Sequence, residues 1–339
     1  MLKWNIWEGS EDAWDKLLIN SGDYNIFQSF AWGRYKSSNK WFPFRYYCAD
    51  KNGNTLCMTQ ILLIKFIFGI VFIWCPGGIV FKFKSNINSL SKEVIESFIV
   101  EMQSTYPKSL IRFHSLEENT SRSSYFLQSL CSKPYFKINS GYSVHYDIPS
   151  SSQEIRDKML PKHRYYTKKS SEAGISWSAG NNNNILNDFA ELHKEMVRNK
   201  KINLHSISYE YLENMRNNLG DKMFILVGYL NKQPVTSCLV LLFGSKAFYM
   251  AASTSQKGRE VSAAYTMFEN LIHKLFLKGI TQFDFGGVDP FHQNAMGVNH
   301  YKCGFGGDII EQIGEWEFAT SEILRILINY IIKLKIPGA

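Results

Sequence analysis

Long apolar runs are missing from this chain. The longest stretch, Ile61 to Trp74, is interrupted by Lys65 and Gly69 and falls short of the ~18 apolar residues that a membrane-spanning helix requires. It reads instead as two short strands. Paired cysteines are missing too: Cys48, Cys57, Cys75, Cys131, Cys238 and Cys303 include no C-x-x-C. That excludes the usual zinc spacing and a disulfide framework, and leaves reduced, mostly buried thiols. The N-terminus, Met1 to Asp15, carries Trp4, Trp7 and Trp14 among acidic residues and lacks the basic-then-apolar order of a secretory signal. A cytoplasmic location is the expectation. The low hydrophobicity of disordered chains is absent as well, since 45% of the 339 residues are hydrophobic and 20% charged, enough for two ordinary cores.

What the chain does have is an excess of basic groups. The net charge of +8 favours a polyanionic partner such as RNA, a nucleotide-linked substrate or an anionic membrane face.

Periodicity then shows one pattern used twice. Strands are predicted at Arg45 to Cys48, Thr55 to Lys65 and Val71 to Cys75, followed by a helix over Lys92 to Thr105 and a strand over Leu110 to His114. The helix carries Val94, Ile95, Phe98, Ile99 and Met102 on one face. The same order returns as strands Phe224 to Tyr229, Val235 to Phe243 and Ala247 to Ala251, a helix over Ala263 to Lys278 and a strand over Gln282 to Phe285. Helices are also expected at Glu11 to Asn20, Phe30 to Ser37, Ser152 to Ala173, Ile185 to Lys200 and Ser208 to Asn217, with a linker near Asn139 to Ser151. The expectation is an α/β fold with one domain over residues 1–145 and a second over 146–316. A groove between two such domains would be a natural ligand site. The tail from Ser321 to Lys335 has a helical apolar stripe and reads as a helix packed on one of the domains, with a helix lying on a membrane surface as the alternative.

Several blocks give this pattern a family. Phe27-Gln28-Ser29-Phe30-Ala31-Trp32-Gly33-Arg34-Tyr35-Lys36, Trp74-Cys75-Pro76-Gly77-Gly78 and Lys162-His163-Arg164-Tyr165-Tyr166-Thr167-Lys168-Lys169 are three of them. The most specific is Phe283-Asp284-Phe285-Gly286-Gly287-Val288-Asp289-Pro290, followed by Gly297-Val298-Asn299-His300-Tyr301-Lys302-Cys303-Gly304-Phe305-Gly306-Gly307. Together they resemble the FemABX aminoacyltransferases, over roughly residues 25 to 310. The resemblance implies two tandem acetyltransferase-like (GNAT) domains, with the C-terminal segment 317–339 packing back on the first. It also implies transfer of an amino acid from aminoacyl-tRNA to the amine of a nucleotide- or lipid-linked cell-surface precursor, with no tightly bound cofactor or metal.

Aminolysis of an ester builds negative charge on the carbonyl oxygen, and a fixed cation or hydrogen-bond donor lowers that barrier. The resemblance assigns this to Lys302, paired with Tyr301, in a glycine-flanked loop where positive φ and close backbone approach are allowed. It assigns Lys36, which shares a helix face with Trp32, to the phosphates of the acceptor. Arg198 ends a predicted helix, and Arg164 belongs to a basic helix suited to phosphates. His205 and Tyr209 stand where an arginine and tyrosine grip the acceptor in relatives. Histidine cannot make the bidentate arginine fork, so an amino sugar or uronic acid acceptor is expected in place of the usual peptide precursor. Asp289 and Asp284 flank the glycine pair as a general base or as loop-ordering groups.

Two readings stay open beside this one. Acyl-coenzyme A could be the donor, although Arg259, Ser262 and Ala264 only loosely match the pyrophosphate-cradling loop. A non-catalytic binding module for an anionic sugar or RNA would also use a basic groove. A peripheral contact with the inner membrane face suits the positive charge.

Overall fold

The computed structural model describes residues 2–50, 52–82, 87–119, 123–200 and 206–335. It divides into two compact units: the chain up to Gly141 together with the chain from Glu311 on, and the segment Tyr142–Ile310.

The first unit opens with β1 (Trp4–Ile6) and α1 (Glu11–Asn20), whose N-cap Ser10 accepts from the N–H of Ala13. α2 (Phe30–Ser37) follows, capped by Ser29 on the N–H of Trp32. These hydroxyls satisfy N–H groups that a helix start leaves without partners. Then come β2 (Phe42–Ala49), β3 (Thr55–Lys65), β4 (Val71–Pro76), β5 (Val80–Phe81), α3 (Ile87–Thr105), β6 (Ser109–Glu118) and α4 (Ser123–Leu130). The second unit contains β7 (Tyr142–Asp147), α5 (Ser152–Lys158), α6 (Pro161–Ser171), β8 (Ser176–Gly180), α7 (Asn183–Lys200), α8 (Tyr209–Leu219), β9 (Met223–Leu230), β10 (Gln233–Phe243) and β11 (Lys246–Thr254). α9 (Gln256–Glu260), α10 (Ala263–Leu277), β12 (Gln282–Val288) and α11 (Met296–Cys303) complete it. β13 (Asp308–Ala319) and α12 (Glu322–Lys335) return the chain to the first unit.

Each unit has a mixed sheet in which three antiparallel strands lead through a helix to a parallel neighbour. In the first the order is β1-β2-β3-β4-β6-β13, with β5 on β3 and the parallel pair β4–β6 joined through α3. In the second it is β7-β12-β11-β10-β9-β8, with the parallel pair β11–β12 joined through α10. The apolar faces of these helices supply the cores: Val94, Phe98 and Met102 pack with Ile61, Ile73 and Ile111, whereas Phe268, Leu271 and Ile272 pack with Val240, Phe283 and Phe285.

Two sequence expectations need correction. The helix predicted from Ser152 to Ala173 is two helices, because Met159 and Leu160 are extended and Pro161 opens α6. Proline suits the first turn of a helix and disfavours a helical residue before it. The stretch expected as a linker, Asn139 to Ser151, contains β7, which pairs antiparallel with β12.

The sheet of the first unit is closed by a buried charge cluster. Arg112 of β6 is fully buried and reaches Glu317 at 2.8 Å and Glu315 at 3.3 Å on β13, and Asn329 Oδ1 of α12 at 2.7 Å. Glu315 also accepts from the backbone N–H groups of Ile138 and Asn139, while burial, opposed by Arg112, leaves its pKa raised. α12 adds Ile328 and Ile332, which pack on Phe72 and Leu110. Removing one member of such a cluster strands its partners' charge in a dry interior. Arg112→Ala is therefore expected to lower stability by about 3–5 kcal/mol, read from the urea unfolding midpoint; an unchanged midpoint would show that the cluster contributes nothing.

Candidate active site

β12 does not run straight. Its register with β7 shifts between Asp284 and Gly287, and within the shift Gly286 has φ +70, a conformation that side chains with a Cβ resist. The Asp284 carboxylate holds this bulge, accepting from the N–H of Gly286 at 2.7 Å and from the Ser143 hydroxyl. The bend presents the Gly287 carbonyl to Lys302, whose ammonium donates to it at 2.7 Å. Lys302 Nζ also lies 6.0 Å from the centre of the Tyr249 ring.

An ammonium has three N–H donors. Among the described residues, only one of those on Lys302 has a partner, so two remain for an incoming oxygen. Burial draws the Lys302 pKa down to about 8, with the Asp284 charge opposing the fall. At neutral pH roughly nine in ten of these lysines are still protonated, and the group can act as a cation or give up a proton at small cost. His145 of β7 completes the cluster, its Nε2 lying 3.6 Å from Asp284. Burial pulls the His145 pKa down, but the hydrogen bond and charge of Asp284 outweigh it and the net shift is upward.

Tyr301 faces differently. Its hydroxyl donates to the Ala264 carbonyl at 2.8 Å, and its ring packs among His163, Tyr265 and Phe305. Burial pushes its pKa well up, so the phenol holds its proton and fixes α11 against α10. The glycines after Lys302 also serve the protein's own packing. A Cβ on Gly304 would lie 1.9 Å from the His163 ring, and one on Gly306, at φ +90, would lie 2.2 Å from the Lys158 carbonyl. His163 is buried and its Nε2 meets the Tyr301 carbonyl at 3.1 Å. Because a carbonyl only accepts, that nitrogen carries the proton.

Asp289 accepts from the N–H of Phe291 at 3.1 Å, while its own backbone N–H and carbonyl bond the Asn299 side chain. It orders the loop into α11. His145 and His163 escaped the sequence reading. His145 lies in a strand masked by neighbouring glycine and serines, and His163 reads as one more member of a basic run.

The first unit holds a second unusual lysine. Lys36 of α2 has its ammonium 4.9 Å from the Trp32 ring centre, 5.7 Å from Tyr35 and 6.0 Å from Trp74. Burial draws its pKa down to about 8. Neither it nor the buried indole N–H groups of Trp32 and Trp74 has a partner among the described residues. Three donors without an acceptor, one of them a cation, are suited to an anion.

The remaining sequence candidates are more scattered. Arg164 is exposed on α6 and donates to the Met159 carbonyl at 3.4 Å. Arg198 is exposed in the last turn of α7, Tyr209 bonds Glu213 within α8, and His205 lies outside the described residues. Arg156 and Lys158 of the basic run are used internally, on Glu269 and on the Asp147 carbonyl. Lys162, Arg164, Lys168 and Lys169 remain exposed on α6.

A model of the FemAB family matches residues 229–333, the stretch that contains β12, α11 and Lys302. Over that stretch the chain is similar to the FemAB family. No match is found among curated proteins. Among solved structures, FemX is similar to this chain at TM-score 0.82 and 14% identity, over 96% of this chain and all of that one. A tandem GNAT protein from the clavulanic acid biosynthesis pathway is similar at TM-score 0.57 and 9% identity, covering 94% and 98% of the two chains. L-PGS from Bacillus licheniformis follows at TM-score 0.54 and 14% identity, covering 85% and 89%. These likenesses establish a mixed α/β fold of tandem GNAT-like type.

The charge on Asp284 opposes the fall in the Lys302 pKa. Asp284→Asn is accordingly expected to lower the midpoint of pH-dependent reductive methylation at Lys302 below its wild-type position near 8. A midpoint that stays or rises would remove Asp284 from the lysine's electrostatics.

Proposed function

We propose that the FemAB-like chain is an aminoacyltransferase that moves an amino acid from aminoacyl-tRNA to an amine of a cell-wall or surface-polysaccharide precursor by ester aminolysis. The observation that carries this reading is the Lys302 ammonium, tied by one N–H to the Gly287 carbonyl and leaving two donors without partners among the described residues. As the acceptor amine attacks, a C–N bond forms and the carbonyl oxygen becomes an oxyanion. A positioned ammonium stabilises that charge more than it does the neutral ester. Collapse breaks the ester C–O bond, and the departing ribose oxygen takes the proton that the attacking nitrogen gives up as the amide forms. The Asp284–His145 pair, whose carboxylate acts on the Lys302 charge, would accept the proton that the acceptor ammonium must lose.

Lys36, with Trp32 and Trp74 around it, supports an acceptor that carries phosphate. The exposed basic face of α6, Arg164 included, suits the phosphates of tRNA. Arg198, Tyr209 and His205 would contact the acceptor, and the histidine at 205 favours a sugar amine over a peptide amine. Asp289 would act through the loop that it orders.

The coenzyme A reading is disfavoured by the segment before α10. The N–H groups of Gly258, Arg259, Val261 and Ser262 all bond within that turn, and Arg259 is turned back onto the Thr254 carbonyl and Gln256. A pyrophosphate cradle needs such groups pointing at the ligand.

Lys302→Ala is expected to lower kcat by about 10²–10³-fold with the fold intact, and wild-type kcat should fall as pH rises through about 8, where Lys302 loses its proton. Turnover with charged tRNA should be abolished by ribonuclease. Turnover with acyl-coenzyme A but not charged tRNA would overturn the donor assignment, and unchanged turnover in the alanine variant would overturn the role of Lys302. Lys36→Met should raise KM for a nucleotide-linked acceptor while leaving kcat near its wild-type value; a fall in kcat alone would contradict a binding role.

A further inference from the structure

α12 is apolar on two faces, and only one of them is covered. Ile328 and Ile332 are buried against Phe72 and Leu110, with Leu324 packed beside them. Ile323, Ile326, Leu327, Tyr330 and Leu334 lie on the opposite arc and are exposed, Ile323 at 79% and Leu334 at 68%. A helix at the surface of a soluble domain normally shows one apolar stripe and a polar back.

A second apolar feature leaves the same small core. Phe66 and Ile70 pack into the cluster that Ile328 and Ile332 cover, and the turn between them lifts Ile67 and Phe68 into solvent, 76% and 81% exposed. Phe68 has φ 59, a conformation that costs a bulky residue energy, so the tip is held in a strained shape with its apolar side chains outward. Phe42, next to Trp41 of that cluster, is 51% exposed beneath the Lys65 ammonium.

The charges around these features have one sign. The segments 40–44, 64–71, 106–109 and 322–334 contain Lys40, Lys65, Lys108, Arg325 and Lys333 against one carboxylate, Glu322. That carboxylate is neutralised by Arg325 at 2.7 Å. Lys108 donates to the Phe68 carbonyl at 3.4 Å, which places a cation at the turn itself. An exposed apolar stripe, a protruding aromatic tip and a border of lysines form the combination that binds an anionic bilayer surface, apolar groups entering the headgroup boundary and ammonium groups meeting lipid phosphates.

We propose that the outer face of α12 and the Ile67–Phe68 turn are a docking surface for an anionic lipid bilayer, which brings the first unit onto the membrane without crossing it. None of the helices among the described residues is long and apolar enough to span a bilayer, so the contact is peripheral. The proposal stands on this surface alone and does not depend on which donor or acceptor the enzyme uses.

Flotation of the full chain with phosphatidylcholine vesicles, with and without phosphatidylglycerol, tests it. The wild type should float with the anionic vesicles, less so at high salt, and hardly at all with phosphatidylcholine alone. Phe68→Ser combined with Ile323→Ser and Leu334→Ser should reduce the bound fraction at least about tenfold, with the thermal unfolding curve and turnover on a water-soluble acceptor unchanged. Lys65→Gln with Lys333→Gln leaves the apolar groups in place and should remove the preference for anionic lipid. No flotation of the wild type, or equal flotation of all variants, would overturn the proposal. So would sedimentation showing a dimer that the serine variant converts to monomer, since the stripe would then be covered by a second copy.

Discussion

The Lys302 end of the second unit depends on a carboxylate at a bend. Asp284 accepts from the Gly286 N–H and the Ser143 hydroxyl, and this fixes a bulge that a regular strand would lack. The bulge lies between the Asp284–His145 and Gly287–Ser143 pairs, next to the carbonyl that takes the Lys302 ammonium. One carboxylate sets the strand's shape, steadies the lysine's charge and holds His145 within 3.6 Å. The neighbouring groups reinforce that arrangement. Tyr301 bolts α11 to α10, and His163 fills the space that Gly304 leaves open.

Two lysines, one in each unit, are drawn to about 8 by the same cause, burial. Their surroundings give them different uses. Lys302 keeps a carbonyl and a nearby carboxylate, so its charge is anchored and its remaining donors are directed. Among the described residues Lys36 meets only the faces of aromatic rings, which attract a cation weakly and supply no counter-ion. Under the proposed function, the first environment suits a transient charge and the second a permanent one.

Much of this was legible in the sequence, and the exceptions have physical reasons. β3, β4, β10 and α10 are long, apolar and bounded by turns, so periodicity places them nearly to the residue. β13 could not be read that way, since Glu315 and Glu317 point into the unit to meet Arg112, and a strand that buries acids reads as a polar surface segment. β7 was hidden by Gly141, Pro149 and a run of serines that read as a linker. The split between α5 and α6 was announced by Pro161, yet the basic run across it suggested one helix. Lys302 was reached through the family resemblance of its glycine block, whereas its contacts with Gly287 and with the Asp284–His145 pair come from strands that only the fold brings together.

The route of the chain has a consequence for synthesis. Residues Tyr142–Ile310 form one uninterrupted unit, but the other unit needs both the start of the chain and everything after Glu311. As the polypeptide leaves the ribosome, the inserted unit can complete its sheet while β6 still waits, its edge open and the Arg112 guanidinium without Glu315, Glu317 or Asn329. The unit begun first is thus finished last. Until its final helix emerges, the nascent chain carries an unpaired cation and a raw sheet edge, a state that chaperones are suited to shield.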